Sequence, residues 1–309
     1  MKLIKYKLGD LIRQRRQKND SNDLPICGVT RDGFIPPKQQ DADTSLYNVF
    51  YLKDFVFNPA RMELNAIVFN DRYEKAICSS LYEVFYVHRP EVILPEYLAL
   101  LVKQDWFTRY CKFMGSGSAR EYCRVANISE LEIEVPPIEF QAEMARDNQI
   151  IRDRIELKRR INDNLEVTTS SIYHSLFDEQ TTWAKGNVSD FGEVVGGATP
   201  SKDVDVYFCS EGIVWLTPKD LTSTGKKFIY KGETDITEAA YRSCSTKLLP
   251  KGSVLLTSRA PVGCVAIAMT ELCTNQGFKS IIPNNEFGTA FVYYFLKENK
   301  PLLESHSSG

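Results

Sequence analysis

The sequence has no Cys-x-x-Cys pair. Its eight cysteines (Cys27, Cys78, Cys111, Cys123, Cys209, Cys244, Cys264 and Cys273) are scattered, and His88, His174 and His306 stand near none of them at metal-ligand spacing. No metal site is expected, and the thiols should be reduced and mostly buried. There is no run of about 18 apolar residues to span a bilayer, and residues 1–10 have lysines without an apolar signal core, so a cytoplasmic location is expected. A basic excess is also missing: 38 Lys and Arg against 40 Asp and Glu give a net charge of -2. Any surface that meets a polyanion must therefore be local.

The usual marks of catalysis are missing as well. No phosphate loop ends in Gly-Lys-Ser/Thr. Asn58-Pro59-Ala60-Arg61 lacks the second proline and the aromatic of an amino-methyltransferase cradle. Glu156-Leu157-Lys158 has a nuclease-like E-x-K spacing but sits in a charged helical stretch, and three histidines in unrelated contexts build no triad. A chain without chemistry of its own is expected.

What is present is the balance of a folded protein, 43% hydrophobic and 25% charged, at a length of 309 residues that suits two domains. An internal repeat supplies them. Lys7-Leu8-Gly9-Asp10-Leu11 opens one copy and Asn187-Val188-Ser189-Asp190-Phe191 the other, each a short strand or turn leading into a polar loop. The β-rich run from Asp54 to Arg61 parallels Gly252 to Arg259, and Ala66-Ile67-Val68-Phe69 parallels Cys264-Val265-Ala266-Ile267. Each copy thus predicts a hairpin whose connection lifts an arginine out of the sheet. Ile77-Cys78-Ser79-Ser80 matches Leu272-Cys273-Thr274-Asn275, each before a further strand and an aromatic-rich helical stretch, Tyr97 to Tyr110 and Phe291 to Leu303.

Between the copies, Ile138 to about Glu179 is free of Gly and Pro and strongly charged. Met144, Ile151, Leu165 and Ile172 fall on a seven-residue grid, with Lys158 at the missing step and Ile155, Ile161 and Leu176 widening the stripe. This predicts one helix of about 42 residues, roughly 60 Å long, that packs on another helix. Arg152, Arg154, Lys158, Arg159 and Arg160 alternate with acids, as on a solvated coiled-coil face. The predicted class is α+β, with mixed-sheet domains at 1–136 and 181–309 and the spacer helix at 137–180. By the repeat's logic roughly 50 to 60 residues, including a second long helix, are missing from the second copy.

Three motifs in order, Gly117-Ser118-Ala119-Arg120-Glu121, Ile133-Glu134-Val135-Pro136-Pro137-Ile138-Glu139-Phe140-Gln141 and Gly196-Gly197-Ala198-Thr199-Pro200-Ser201, resemble the specificity subunits of type I restriction-modification systems. The resemblance implies two target-recognition domains on long helices, a double-stranded DNA partner read as a bipartite site, docking of two methyltransferase subunits, and motor-nuclease (restriction) subunits that join for cleavage. It places S-adenosylmethionine, ATP and Mg on those partners and none on this chain. The absent second helix leaves the stripe to a second copy, a complementing fragment or the partner subunits.

DNA binding needs cations for phosphate and Arg, Asn or Gln for base edges. The candidates in the first copy are Arg13, Arg15 and Arg16, with Gln14, Gln17 and Lys18 beside them just before a polar turn, then Arg31, Lys38, Gln39, Gln40 and Arg61. Ser116, Ser118 and Arg120 in the glycine-spaced loop join them. In the second copy they are Ser201, Lys202, Lys219, Ser258, Arg259, Asn275 and Gln276. Structural readings compete: a solvated charged helix end for Arg13 to Lys18, a salt bridge for Arg61 or Arg259, a plain turn for the glycine loop, and a capping or turn role for Asn275-Gln276. Two other functions fit the same features, a coiled-coil scaffold with two protein-binding domains and an inactive or partner-dependent truncated half.

Overall fold

The computed structural model describes residues 3–21, 23–37, 43–115, 122–177 and 186–306. The chain divides into two compact units, Met1–Ile161 and Asn162–Gly309.

In the first unit, β1 (Ile4–Lys7) is followed by β2 (Ile12–Arg15), β3 (Ile26–Thr30), β4 (Gly33–Ile35), β5 (Asn48–Tyr51), β6 (Phe55–Phe57), β7 (Ile67–Phe69), β8 (Lys75–Cys78) and β9 (Glu83–Val87). Three short helices come next, α1 (Pro95–Leu101), α2 (Asp105–Gly115) and α3 (Val125–Ser129), then β10 (Glu132–Val135) and the long helix α4 (Ile138–Phe177). One sheet is ordered β2-β9-β6-β7 and the other β4-β3-β8-β5. β1 pairs antiparallel with β10, Ile4 opposite Val135, which ties the start of the unit to the strand that feeds α4.

The second unit contains β11 (Gly192–Gly196), β12 (Phe208–Cys209), β13 (Ile213–Leu216), α5 (Pro218–Thr224), β14 (Phe228–Ile229), β15 (Asp235–Ile236) and α6 (Glu238–Ser243). β16 (Val254–Leu256), β17 (Val265–Ala268), β18 (Cys273–Thr274), β19 (Lys279–Pro283), α7 (Gly288–Glu298) and α8 (Lys300–His306) complete it. Its sheets are ordered β11-β19-β16-β17-β14 and β12-β15-β13-β18.

The two units share a common core of strands. The antiparallel run β2-β9-β6-β7 corresponds to β11-β19-β16-β17, and the parallel pair β3/β8 to β13/β18. Even the alternation of side chains agrees, as the period of two in a strand requires. Phe55 and Phe57 of β6 face the core shared with the helices while Val56 joins the core with the second sheet. In β16, Val254 and Leu256 point to the helix-side core and Leu255 to the other. Strands buried on both faces need continuous apolar runs, which is why Phe-Val-Phe and Val-Leu-Leu occupy the two positions. The predicted hairpins are present: Phe57 pairs with Ile67 and Leu256 with Val265, leaving residues 58–66 and 257–264 as the arginine-bearing connections. Both copies open on a 3-10 turn, Leu8–Asp10 and Val188–Phe191, followed by a strand.

The predicted helix forms over 40 residues, Ile138–Phe177. Its apolar stripe is half open to solvent: Met144, Ile151, Ile155, Ile161, Leu165, Ile172 and Leu176 are all between 41% and 59% exposed. Other residues fix the helix to the units. Gln141, fully buried, accepts from Leu94 N at 2.8 Å and donates to Val92 O at 2.9 Å and Pro136 O at 2.8 Å. The Pro-Pro-Ile-Glu-Phe-Gln motif therefore starts a helix and anchors it in one step. In the second unit, Glu166 accepts from Lys227 at 3.2 Å, from the Tyr294 hydroxyl at 2.9 Å and from Lys297. Ser170 donates to Glu298 at 2.9 Å, the Tyr173 ring lies tilted 6.4 Å from that of Phe291, and the Phe177 ring meets Phe291 edge-on at 5.2 Å. These residues recur at helical spacing but are polar or aromatic, so the aliphatic pattern used for the prediction did not mark them.

Candidate nucleic-acid interface

In the first unit the Arg13 to Lys18 segment is not a helix end before a turn; Arg13 and Arg15 lie in the paired strand β2. Arg15 is committed inside the fold. Its Nε and Nη2 donate to the two carboxylate oxygens of buried Asp54 at 2.7 and 3.0 Å, and its guanidinium lies 4.8 Å from the Tyr51 ring and 4.6 Å from the Tyr86 ring. Burial pushes the Asp54 carboxyl above its ordinary pKa even with Arg15 beside it. Arg15 is thus held in an ion pair inside the fold. Arg13 donates to the carbonyls of Gly9 and Ile12 at 2.9 and 3.0 Å, Arg16 to Gln14 at 3.0 Å, and Lys18 to Leu46 O at 2.9 Å and Asn48 Oδ1 at 2.8 Å. Gln17 accepts from the Tyr51 hydroxyl at 3.1 Å.

Arg31 sits on the tip between β3 and β4 and lines a cleft of about 770 Å³ with Phe34, Lys103, Met144 and Arg152. Lys103 donates to the carbonyls of Arg31 and Ile67 at 2.7 and 2.6 Å, and burial together with the neighbouring arginines pushes its pKa down to about 8. Lys38, Gln39, Gln40, Ser116, Ser118 and Arg120 lie outside the described residues.

Arg61 is exposed and makes no ion pair or side-chain hydrogen bond with any described residue. It is carried by a 3-10 turn, Pro59–Leu64, that Asn58 caps by accepting from Ala60 N at 3.1 Å. Cys123 N donates to Pro59 O at 3.0 Å, so the chain leaving the glycine-spaced motif returns beside this turn.

The second unit gathers its candidates more completely. Arg259 projects, exposed, from the β16–β17 connection, again with no ion pair or side-chain hydrogen bond to a described residue. Thr257 organises that connection, its hydroxyl donating to Pro261 O at 2.6 Å and accepting from Cys264 N at 2.9 Å. Ser258 N donates to Gly277 O at 2.8 Å, which joins the Arg259 turn to the Asn275-Gln276-Gly277 turn. Asn275 caps that turn, accepting from Gly277 N at 2.8 Å, so the capping role holds for its carbonyl. Exposed Gln276 accepts from the Thr199 hydroxyl, and Ala198 N donates to Thr274 O at 2.9 Å. A Cβ on Gly197 would come within 2.2 Å of the Thr274 and Asn275 carbonyls, which is why the Gly-Gly-Ala-Thr-Pro-Ser motif needs glycine there. Ser201 and Lys202 follow, exposed. Lys219 pairs with Glu233 at 2.7 Å across solvent and is not a bare cation.

The structure therefore brings Thr199, Ser258, Arg259, Asn275 and Gln276 to one end of the second unit. In the first unit, among the described residues, the Arg61 turn meets the flank of the glycine motif. Cys27, Cys78, Cys111, Cys123 and Cys273 are buried and the other three half-buried, all as free thiols. Among the described residues no three His, Cys, Asp or Glu side chains gather to hold a metal ion, and no helix is long and apolar enough to cross a membrane.

Comparison with known proteins gives a consistent result. The family model described as "Type I restriction modification DNA specificity domain" matches residues 4–167 and, separately, 180–309. The MjaIX specificity subunit of a type I restriction enzyme from Methanocaldococcus jannaschii is 47% identical over 115 residues, 37% of this chain and 26% of that one. The EcoR124I/EcoR124II specificity subunit from Escherichia coli is 26% identical over 188 residues, 56% of this chain and 45% of that one. The matches thus span less than half of either relative. A crystal structure of the type I restriction-modification S subunit from M. genitalium shares the fold, with a TM-score of 0.64 at 14% identity over 99% of this chain and 79% of that one.

Proposed function

The chain belongs to the type I restriction modification DNA specificity family, and from that premise we propose that it reads a two-part site on double-stranded DNA and leaves the chemistry to partner subunits. The observation that carries this reading is the duplicated hairpin connection. Two units with a common core of strands each present an exposed arginine, Arg61 or Arg259, at the same place on the sheet. An exposed arginine on a hairpin connection, without an ion pair to any described residue, is suited to a guanine edge or a phosphate. Neighbouring hydroxyl and amide groups, Ser258 and Gln276, supply the polar contacts that base reading requires.

On this reading two methyltransferase subunits and motor-nuclease subunits are the protein partners, and S-adenosylmethionine, ATP and Mg belong to them. The exposed apolar stripe of α4 is the surface assigned to association, with a partner subunit, a second copy of the chain or a complementing fragment. Light scattering of the chain alone and with each candidate separates these. The test of DNA reading is duplex binding followed by fluorescence anisotropy across a salt series. Affinity should fall steeply as salt rises, and Arg61→Ala and Arg259→Ala should each weaken it about tenfold. Binding that ignores both substitutions would refute the assignment.

A further inference from the structure

We propose that Leu81, at the tip of the β8–β9 turn, reads a base in the first unit's half-site by contact with a thymine 5-methyl group. The proposal deepens the DNA-reading function and rests on it.

The turn corresponds, bond for bond, to one already placed in the second unit's site. Tyr82 N donates to Ser79 O at 3.0 Å and Leu81 N to the Ser79 hydroxyl at 3.3 Å. In the second unit Phe278 N donates to Asn275 O at 3.3 Å and Gly277 N to the Asn275 side-chain carbonyl at 2.8 Å. Ser79-Ser80-Leu81-Tyr82 is therefore the counterpart of Asn275-Gln276-Gly277-Phe278, each following the strand that pairs in parallel, β8 with β3 and β18 with β13. Both turns also stand beside the arginine connection. Phe57 lies opposite Glu83, so the residues after β6 and those before β9 share one end of the sheet, and in the second unit Ser258 N bonds Gly277 O across the same place.

The difference lies in what the turns present. In the second unit the third position must be glycine, because a Cβ on Gly277 would approach Pro218 Cγ at the start of α5 to 2.8 Å. In the first unit β3 runs on into the hairpin with β4 instead of a helix, and a leucine stands there with 78% of its surface exposed. An apolar side chain raised on a capped turn, beside an arginine connection and an exposed serine, has little to gain from water. Thymine is the base whose major-groove edge offers an apolar group.

The test uses randomised duplex pools synthesised with thymine or with uracil, which lacks the methyl group, selected on the full-length chain and on Leu81→Ala. The parent chain should select from the thymine pool a motif with a thymine in one half. Its preference there should drop about fourfold in the uracil pool, the ratio expected for burying one methyl-sized group. Leu81→Ala should select from thymine pools the motif that the parent selects from uracil pools, whereas Gln276→Ala should alter the other half. A motif that Leu81→Ala leaves unchanged, or a thymine preference indifferent to the methyl group, overturns the proposal. Recovery of no motif from either pool would instead count against DNA reading itself.

Discussion

Arg15 and Arg61 differ in what surrounds their charge, and the difference fixes what each substitution does. Arg15 faces a carboxylate only 2% exposed, and burial already pushes the Asp54 pKa up. Removing the guanidinium leaves that push unopposed and a buried acid without its partner. Arg15→Ala should therefore cost about 3 kcal/mol in urea denaturation, and a loss below about 1 kcal/mol would show that the pair is not needed. Arg61→Ala should melt with the parent protein and lose DNA affinity. The sequence put both residues in one class because Arg15's partner is remote in the chain and supplied by a different strand. The Arg61 and Arg259 placement was legible, since a repeat shows position directly. Leu81 escaped notice because a search for charged and polar side chains passes over a leucine, although the match of Cys78 with Cys273, one residue out of the register that the two turns show, already marked the turn.

Helix α4 was legible as an element, because length without Gly or Pro and a seven-residue grid suffice to call for a long helix. Its anchors were not, since they are polar or aromatic residues whose worth depends on carbonyls and cations from elsewhere. Gln141→Ala would strand Leu94 N and the carbonyls of Val92 and Pro136, at about 2 kcal/mol or more. Hydrogen exchange should then quicken in the first turns of α4; unchanged protection there would contradict the anchoring role. At Glu166 burial raises the carboxyl pKa, but hydrogen bonds from Lys297, Tyr294 and Lys227 outweigh it and hold the group below its ordinary 4.5. A depressed carboxylate contributes stability that is complete above the unfolded value and lost as pH falls through the folded one. The contact of α4 with α7 should therefore loosen below about pH 4.5. Glu166→Gln should remove this step from an acid titration followed by tyrosine fluorescence, and an identical acid limb in the variant would remove Glu166 from the account.

Over the whole molecule, the common core of strands in the two units turns a sequence-level repeat into a functional statement, since one scaffold used twice presents its connections twice. Recognition should then divide along the same line. The most direct measurement is selection from a random duplex pool on the full-length chain and on its Arg61→Ala and Arg259→Ala variants. The account predicts two blocks of preferred bases separated by positions without preference, with each substitution relaxing a different block. A single uninterrupted block, or two variants that relax the same one, would contradict it.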